Sequence, residues 1–120
     1  VVNQTDIILK TKGETVRNYC YLSDAVAAVL YLVEKGEVGK IYNVANEDTT
    51  CSIAEMATMV ANLSDGKTKV VFEINDDLNK LGYLPTFKIK LLSNKLRALG
   101  WTPLVNLKDA FQKTIDSLLL

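Results

Sequence analysis

Histidine is absent from this chain of 120 residues, and cysteine and proline each occur only twice. Without histidine the chain cannot supply a Ser-His-Asp triad, a histidine metal ligand or an imidazole proton shuttle. Cys20 and Cys51 form no C-x-x-C pair, and the sequence predicts no metal site. In a cytosolic chain we expect reduced, buried thiols; a disulfide is the alternative and would need Cα atoms within about 7 Å.

Net charge is also absent, because 14 basic residues balance 14 acidic ones. Binding nucleic acid requires a basic face, so no nucleic-acid partner is predicted. No cluster of basic residues predicts a membrane surface as partner, and the longest apolar run, 25–33, is far shorter than the ~20 residues that span a bilayer. The first ten residues do not resemble a secretory signal, and we expect a cytoplasmic location.

A chain of this length can form one domain, with roughly 6,500 Å² of its surface left exposed after folding. Strand and helix patterns alternate along it. The predicted strands are 7–9, 17–22, 40–45 and 69–74, and the predicted helices are 24–35, 52–65, 93–99 and a last one capped by Asn106. The alternation predicts the α/β (mixed α+β) class, with few short strands and about four helices.

Two helix starts and one helix end have local signals. Ser23 is the expected N-cap of helix 24–35, and Gly36 is expected to end that helix in the left-handed conformation. Ser52 and Glu55 have the spacing of a capping box. Helix 24–35 is apolar at nine consecutive positions, so we expect neighbouring elements to cover it on more than one side.

The glycines form no G-x-G-x-x-G pattern after a strand, so no residue is predicted to bind a dinucleotide. Tyr31 and Lys35 match the Y-x-x-x-K spacing in which a lysine lowers the pKa of a phenol base. They lie at the end of an apolar helix with no nicotinamide-binding pattern before it. The context favours a core tyrosine and a solvated lysine, and no catalytic residue is predicted in this chain.

Arg17 is the basic residue of most interest. Its guanidinium has five donors in a rigid fork, which suits the oxygens of a diphosphate. Tyr19 lies two residues further on, and in an extended segment both side chains would face the same side. A solvated surface arginine is the alternative interpretation.

Five segments carry a more specific signal: VRNYCYLSDAV (16–26), GEVGKIYNV (36–44), SIAEMA (52–57), KLRALGWTP (95–103) and LKDAFQKTI (107–115). In this order they resemble motifs from the C-terminal part of the extended short-chain dehydrogenase/reductases (SDRs). Within that group they are similar to the NAD-dependent nucleotide-sugar epimerases and dehydratases, whose classes are isomerase and lyase. The resemblance covers residues 7–120 in register.

The resemblance implies a site for a nucleoside-diphosphate sugar. Arg17 occupies the position of the family's diphosphate-binding arginine, and Tyr19 matches an aromatic residue near the nucleotide. The loop after Y-N-V contributes to the family's nucleotide pocket, which makes residues 46–50 candidates, Asn46 and Thr50 among them. A second phosphate-binding arginine is common in the family, but residues 78–85 contain none, and Lys80 is the nearest cation there.

The family's glycine-rich NAD loop and its catalytic tyrosine and lysine precede the first of these motifs. The resemblance therefore implies that residues 1–120 are a single C-terminal substrate-binding fragment, whose partner is an upstream Rossmann domain. NAD would bind in the parent enzyme outside this chain, no cofactor would bind this chain, and the chain alone would be inactive. We also expect the isolated chain to self-associate, because it would otherwise expose apolar surface.

The alternative is a stand-alone, non-catalytic nucleotide-binding or interaction module of the same fold. The absence of a second arginine favours it, as does Leu92, which stands where the family has an aspartate before the K-x-x-L-G-W helix. In place of that aspartate, Ser93 is expected to cap the helix.

Overall fold

The computed structural model describes residues 1–74, 82 and 85–119. Its elements in chain order are β1 (Ile7–Leu9), β2 (Val16–Arg17), α1 (Leu22–Lys35), a 3₁₀ turn (Glu47–Thr49), β3 (Cys51–Ser52), α2 (Ile53–Asn62), β4 (Val70–Phe72), α3 (Asn94–Ala98) and α4 (Leu107–Leu118). The predicted mixed class, with few short strands and four helices in the described residues, is confirmed.

The strands form two small sheets. In the first, β1 and β4 are parallel, with Ile7 opposite Val70. In the second, β2 and β3 are antiparallel, with Arg17 opposite Cys51. The other edge of β2 is bridged by Lys88 in a parallel arrangement. Strand β2 therefore lies between β3 and the chain around residue 88.

The core is centred on Ala28, Leu96 and Trp101, whose side chains are almost completely buried. Trp101 packs in this cluster with Leu96 of α3 and Ala28 of α1. The Trp101 indole Nε1 donates to the backbone oxygen of Asp24 at 3.1 Å. The buried Asp24 carboxylate accepts from the backbone N–H groups of Leu104 and Val105, at 3.1 and 3.0 Å. Because both groups belong to Asp24, the start of α1 is fixed to the chain that follows α3.

Two of the expected helix caps are present. The Ser52 hydroxyl accepts from the Glu55 N–H at 3.1 Å, and the Glu55 carboxylate accepts from the Ser52 N–H at 2.7 Å, which confirms the capping box. The Asn106 side chain accepts from the Asp109 N–H at 2.9 Å and caps α4. Both caps use side chains within three residues of the N–H groups they satisfy, so the local sequence is sufficient to specify them.

The expected ends of the first long helix are wrong. Helix α1 begins one residue earlier than Ser23, with Tyr21 at the N-cap position and no side-chain cap. Gly36 has φ −68°, which is not left-handed. A Cβ at this position would lie 2.5 Å from the Leu32 carbonyl oxygen. The helix thus ends in a glycine because the backbone passes too close to its last turn for a side chain.

The strand predicted at 40–45 is also not found. Tyr42 and Val44 pack against the core, whereas Ile41 and Asn43 are exposed, so the two-residue alternation of a strand is present. Residues 40–45 have no ladder partner among the described residues. A strand requires hydrogen bonds to a neighbour, and the alternation alone does not provide one.

The molecule is more open than its length predicts. Its accessible surface is 8298 Å², against the roughly 6,500 Å² expected for a compact chain of this size. Its radius of gyration is 17.1 Å, against about 13.6 Å for a compact domain of this length. The chain therefore leaves more surface exposed than the roughly 6,500 Å² expected from its length. Among the described residues, no helix combines the length and apolar character needed to cross a membrane.

One face of α1 accounts for part of this exposure. The side chains of Leu22, Val26, Val29, Leu30 and Val33 are 51 to 82% exposed. Their spacing of three and four residues places them along a single stripe, opposite the side that buries Ala28. The expectation that α1 is covered on more than one side is wrong for this chain by itself, because its second apolar face is exposed.

Candidate functional site

Arg17 is exposed at the end of β2. Its guanidinium carbon lies 4.9 Å from the centroid of the Phe87 ring, which is the distance of a cation–π contact. The ion pairs among the described residues are Lys10–Glu73 and Arg97–Glu47. Within that part of the chain no carboxylate pairs with Arg17, so its donors can meet an anionic ligand.

Tyr19 is anchored to the loop that follows residue 45. Its backbone N–H donates to the Thr49 hydroxyl at 2.8 Å, and that hydroxyl lies 2.7 Å from the Tyr19 carbonyl oxygen. The Tyr19 ring lines a cavity of about 160 Å³ with Phe111 and other residues of α4. Its hydroxyl is buried and has no hydrogen-bond partner in the described part of the chain.

The pKa of Tyr19 responds to these surroundings. Burial raises the pKa of the Tyr19 hydroxyl above its ordinary value, and the Cys51 thiol raises it further. The charge of Arg17 acts in the opposite direction. The side chain is therefore a neutral hydrogen-bonding group near an arginine, and not a phenolate.

Asn46 and Thr50 make hydrogen bonds within the protein. Asn46 is 3% exposed; its Nδ2 donates to the Val105 carbonyl at 3.2 Å and its Oδ1 accepts from the Asp48 N–H at 3.1 Å. The Thr50 hydroxyl donates to the Glu47 carbonyl at 2.6 Å. Both side chains therefore shape the 46–50 loop.

The Glu47 side chain connects this loop to α3. Its Oε1 accepts from the Ser93 backbone N–H at 2.6 Å and from the Ser93 hydroxyl at 2.8 Å. Its Oε2 accepts from Arg97 Nε at 3.0 Å and from Arg97 Nη2 at 2.5 Å. Ser93 therefore binds Glu47 and does not cap α3 with its side chain, contrary to expectation.

The environment of Glu47 lowers the pKa of its carboxyl group. Burial by itself raises that pKa, but the hydrogen bonds from Ser93 and Arg97 outweigh this effect and bring it from 4.5 to about 2. The Glu47 side chain is only 12% exposed, so water screens these contacts weakly. Glu47 is thus a charged group whose ionised form is stabilised by folding.

Asn18 links the same region to the chain before α3. Its Nδ2 donates to the Leu91 carbonyl at 2.9 Å and to the Asn46 carbonyl at 3.2 Å, while its Oδ1 accepts from the Leu91 N–H at 3.1 Å. The side chain of Asn18 thereby extends the pairing of β2 with the chain around residue 88. It holds the segment that carries Arg17 and Tyr19 in register.

The structure places four of the five predicted site residues near one another. Arg17 lies opposite Cys51, the residue after Thr50, and the loop that contains Asn46 and Thr50 is hydrogen-bonded to the Tyr19 backbone. Lys80 lies outside the described residues. Glu47 lies in the predicted 46–50 loop, but sequence reasoning did not identify Phe87 or Arg97 as parts of this region. Their partners are distant in the chain, and no local spacing indicates them.

Gly13, the glycine that follows strand β1, does not begin a dinucleotide-binding turn. An NAD diphosphate is bound by backbone N–H groups at the start of a helix that follows a strand and a glycine turn. Strand β1 leads to Gly13, but the next element is β2. A Cβ at Gly13 would lie 2.8 Å from the Ala54 nitrogen, so this glycine packs against the start of α2 and leaves no space for phosphate.

The remaining candidates have ordinary structural surroundings. The Lys35 ammonium lies 4.9 Å from the centroid of the Tyr31 ring, and Tyr31 packs against the core. Cys20 and Cys51 are free, half-buried thiols whose pKa values burial raises. In the ranges that the structure describes, no three His, Cys, Asp or Glu side chains are grouped to hold a metal ion.

Comparison with known proteins identifies the class of fold. The structure superimposes on a UDP-glucose 4-epimerase of Thermotoga maritima with a TM-score of 0.79 at 21% identity, over 98% of this chain and 36% of that one. A dTDP-glucose 4,6-dehydratase of Bacillus anthracis gives 0.76 at 16% identity, over 98% and 36%. The chain has the fold of part of these enzymes.

Sequence comparison leads to the same group. Residues 1–45 match the model of the NAD dependent epimerase/dehydratase family. The chain is 30% identical to dTDP-D-glucose 4,6-dehydratase of Homo sapiens, over 87% of this chain and 30% of the relative. It is 33% identical to UDP-D-apiose/UDP-D-xylose synthase 2 of Arabidopsis thaliana, over 86% and 29%. The chain spans about a third of the length of these relatives.

These matches confirm the resemblance that the motifs indicate. The start of the chain matches the NAD dependent epimerase/dehydratase family, and most of the chain is similar in sequence to members of that group. The motif with the most specific chemistry, residues 16–26, lies within the matched range.

The pKa of Glu47 predicts how stability depends on pH. Because folding lowers this pKa, the stabilisation is complete above pH 4.5 and is lost as the pH falls towards 2. The group contributes on the order of 3 kcal/mol. We expect Glu47→Gln to lower the free energy of unfolding at pH 7 and to weaken its decrease with acid, as measured by urea denaturation from pH 7 to pH 2.

Glu34→Gln, at an exposed position of α1, is the matched control and should keep the wild-type pH dependence. A Glu47→Gln variant with the same decrease in stability as the wild type between pH 4.5 and 2 would show that Glu47 does not carry this effect.

Proposed function

We propose that this chain is the nucleotide-sugar-binding C-terminal portion of an NAD-dependent epimerase or dehydratase, and that it is inactive by itself. Its ligand would be a nucleoside-diphosphate sugar. The redox step would use NAD held by an upstream Rossmann domain outside residues 1–120, because the described residues have no fitting dinucleotide site. The relationship to the epimerase/dehydratase family supports this proposal.

The observation that carries the proposal is the set of contacts that the Arg17 guanidinium makes in the described part of the chain. An arginine that serves only folding is commonly paired with a carboxylate, as Arg97 is with Glu47. Arg17 instead has one face against an aromatic ring and no carboxylate partner among the described residues. A guanidinium in this state can donate two parallel hydrogen bonds to phosphoryl oxygens.

The other candidate residues have supporting roles in this proposal. Tyr19 would lie beside the nucleotide, where its hydroxyl remains neutral because burial raises its pKa. Asn46 and Thr50 would act through the shape of the 46–50 loop, since their side chains bind protein groups. Lys80 would supply a point charge to the phosphates, and this assignment stays a prediction.

Removing the Arg17 guanidinium should weaken ligand binding. A charge-assisted hydrogen bond to a charged group is worth about 1.5–3 kcal/mol, so Arg17→Ala should raise the Kd for UDP-glucose or dTDP-glucose by about 10- to 150-fold. Isothermal titration calorimetry of the chain with each nucleotide sugar measures this change.

The control is Lys113→Ala, which removes a positive charge from an exposed position on α4 and should leave the Kd unchanged. If Arg17→Ala binds both nucleotide sugars as tightly as the wild type, Arg17 has no role in recognition.

The purified chain should bind no NAD and should turn over no nucleotide sugar. Its glycine at position 13 is packed against α2, and backbone carbonyls of Gly13 and Thr15 accept from the Ala54 and Ile53 N–H groups at the start of that helix. Calorimetry with NAD and chromatography of UDP-glucose after incubation test both statements. NAD binding or turnover would contradict them. Nucleotide-sugar binding without any effect of an added NAD-binding domain would favour the stand-alone module.

The exposed stripe on α1 is the surface through which this portion would meet its partner. It contains five large aliphatic side chains, and Val38 and Ile41 beyond the helix are 103% and 82% exposed. Apolar surface of this kind is typical of an interface. In the longer protein we propose that it packs on the upstream Rossmann domain, and that in the isolated chain it packs on a second copy.

Self-association should therefore depend on the stripe. We expect the isolated chain to be a dimer or larger by light scattering, and Val29→Lys to shift it towards the monomer because the lysine would bury a charge. Leu118→Lys, at a 66% exposed position at the end of α4, is the control and should keep the wild-type mass. A wild-type monomer at high concentration would contradict this prediction.

A further inference from the structure

We propose that Phe87 is a positioning residue, whose ring holds the Arg17 guanidinium in the orientation that receives a diphosphate. The inference rests on the proposed function, because it assigns the way in which the same site obtains its affinity. It adds a residue that neither the sequence motifs nor the comparisons identify.

The contact between the two side chains is direct. The Arg17 guanidinium carbon lies 4.9 Å from the centroid of the Phe87 ring. Arg17 is exposed and Phe87 is half-buried, so the ring is the fixed member of the pair. A freely moving arginine side chain would lose rotamer entropy on binding a ligand, and a ring that already restricts it lowers this loss.

The backbone keeps the ring in place next to β2. The Val16 N–H donates to the Phe87 carbonyl at 3.0 Å, and the Ile89 N–H donates to the Val16 carbonyl at 2.9 Å. The Asn18 side chain adds two hydrogen bonds to Leu91, further along the same pairing. These bonds fix residues 87–91 against the strand that ends in Arg17. The backbone therefore places Phe87 beside Arg17, independently of any attraction between the two side chains.

Contact with a ring leaves the arginine able to bind an anion. The five N–H donors of a guanidinium lie in its plane and point outwards from its edges. An aromatic ring in contact with one face therefore occupies none of them, whereas a carboxylate partner would occupy two. Phe87 can thus restrict Arg17 without competing with the phosphoryl oxygens.

The aromatic character of residue 87 should affect affinity. A cation–π contact at an exposed site is modest, so we expect Phe87→Leu to raise the Kd for UDP and dTDP by about two- to fivefold. Phe87→Tyr keeps an aromatic face and should bind as the wild type does. Arg17→Lys should lose at least as much affinity as Phe87→Leu, because an ammonium lacks the planar fork. Calorimetry of the full chain with both nucleotides measures these changes.

A second measurement reports the contact without ligand. The ring current of Phe87 should shift the NMR resonances of the Arg17 side-chain protons upfield in the free protein. The shift should disappear in Phe87→Leu and persist in Phe87→Tyr, and the dispersion of the same spectra shows whether each variant is folded. Phe72→Leu removes a half-exposed phenylalanine from β4 and is the matched control for both measurements.

The outcomes separate the two proposals. If Arg17→Ala weakens binding but Phe87→Leu binds as the wild type, Arg17 is a ligand residue and the role of Phe87 is overturned. The role is likewise overturned if no upfield shift is observed. If the wild type binds neither nucleotide, or Arg17→Ala binds as tightly as the wild type, the proposed function fails, and the role of Phe87 fails with it.

Discussion

The carboxylate of Glu47 is hydrogen-bonded to Ser93 and Arg97, which lie 46 and 50 residues further along the chain. It accepts two hydrogen bonds from Ser93 and two from Arg97, so one buried side chain fixes the 3₁₀ turn to α3. The same turn holds the Tyr19 backbone through the Thr49 hydroxyl. The position of the candidate site therefore depends on a polar contact. Removing Arg97 would leave the Glu47 carboxylate, which is only 12% exposed, without its charged partner.

Polar contacts have this importance because the apolar core is small. In the described part of the chain its centre consists of Ala28, Leu96 and Trp101, while one face of α1 remains exposed. A second buried carboxylate, that of Asp24, fixes the start of α1 to the chain after Trp101. The chain thus combines a hydrogen-bonded region around Glu47 with exposed apolar surface on α1.

Sequence reasoning succeeded where the interacting residues are close together in the chain, and it often failed where they are far apart. The capping box of α2 was correct because Ser52 and Glu55 are one helical turn apart and meet in any helix that starts there. The cap assigned to Ser23 was wrong, since Tyr21 and Leu22 already adopt the geometry of a helix start. In the strand predicted at 40–45, exposed Ile41 and half-buried Tyr42 show the expected alternation of burial, but the segment has no strand partner among the described residues.

The amino-acid sequence by itself determined the mixed class, most helix positions, the two side-chain caps and the family resemblance, because each depends on residues close together in the chain. Only the tertiary structure decided that Phe87 lies against Arg17, that Ser93 binds Glu47 instead of capping α3, and that one face of α1 is left uncovered. The first two features join residues 70 and 46 positions apart, and the third depends on how distant elements pack around α1. No local pattern of side chains encodes which distant groups meet.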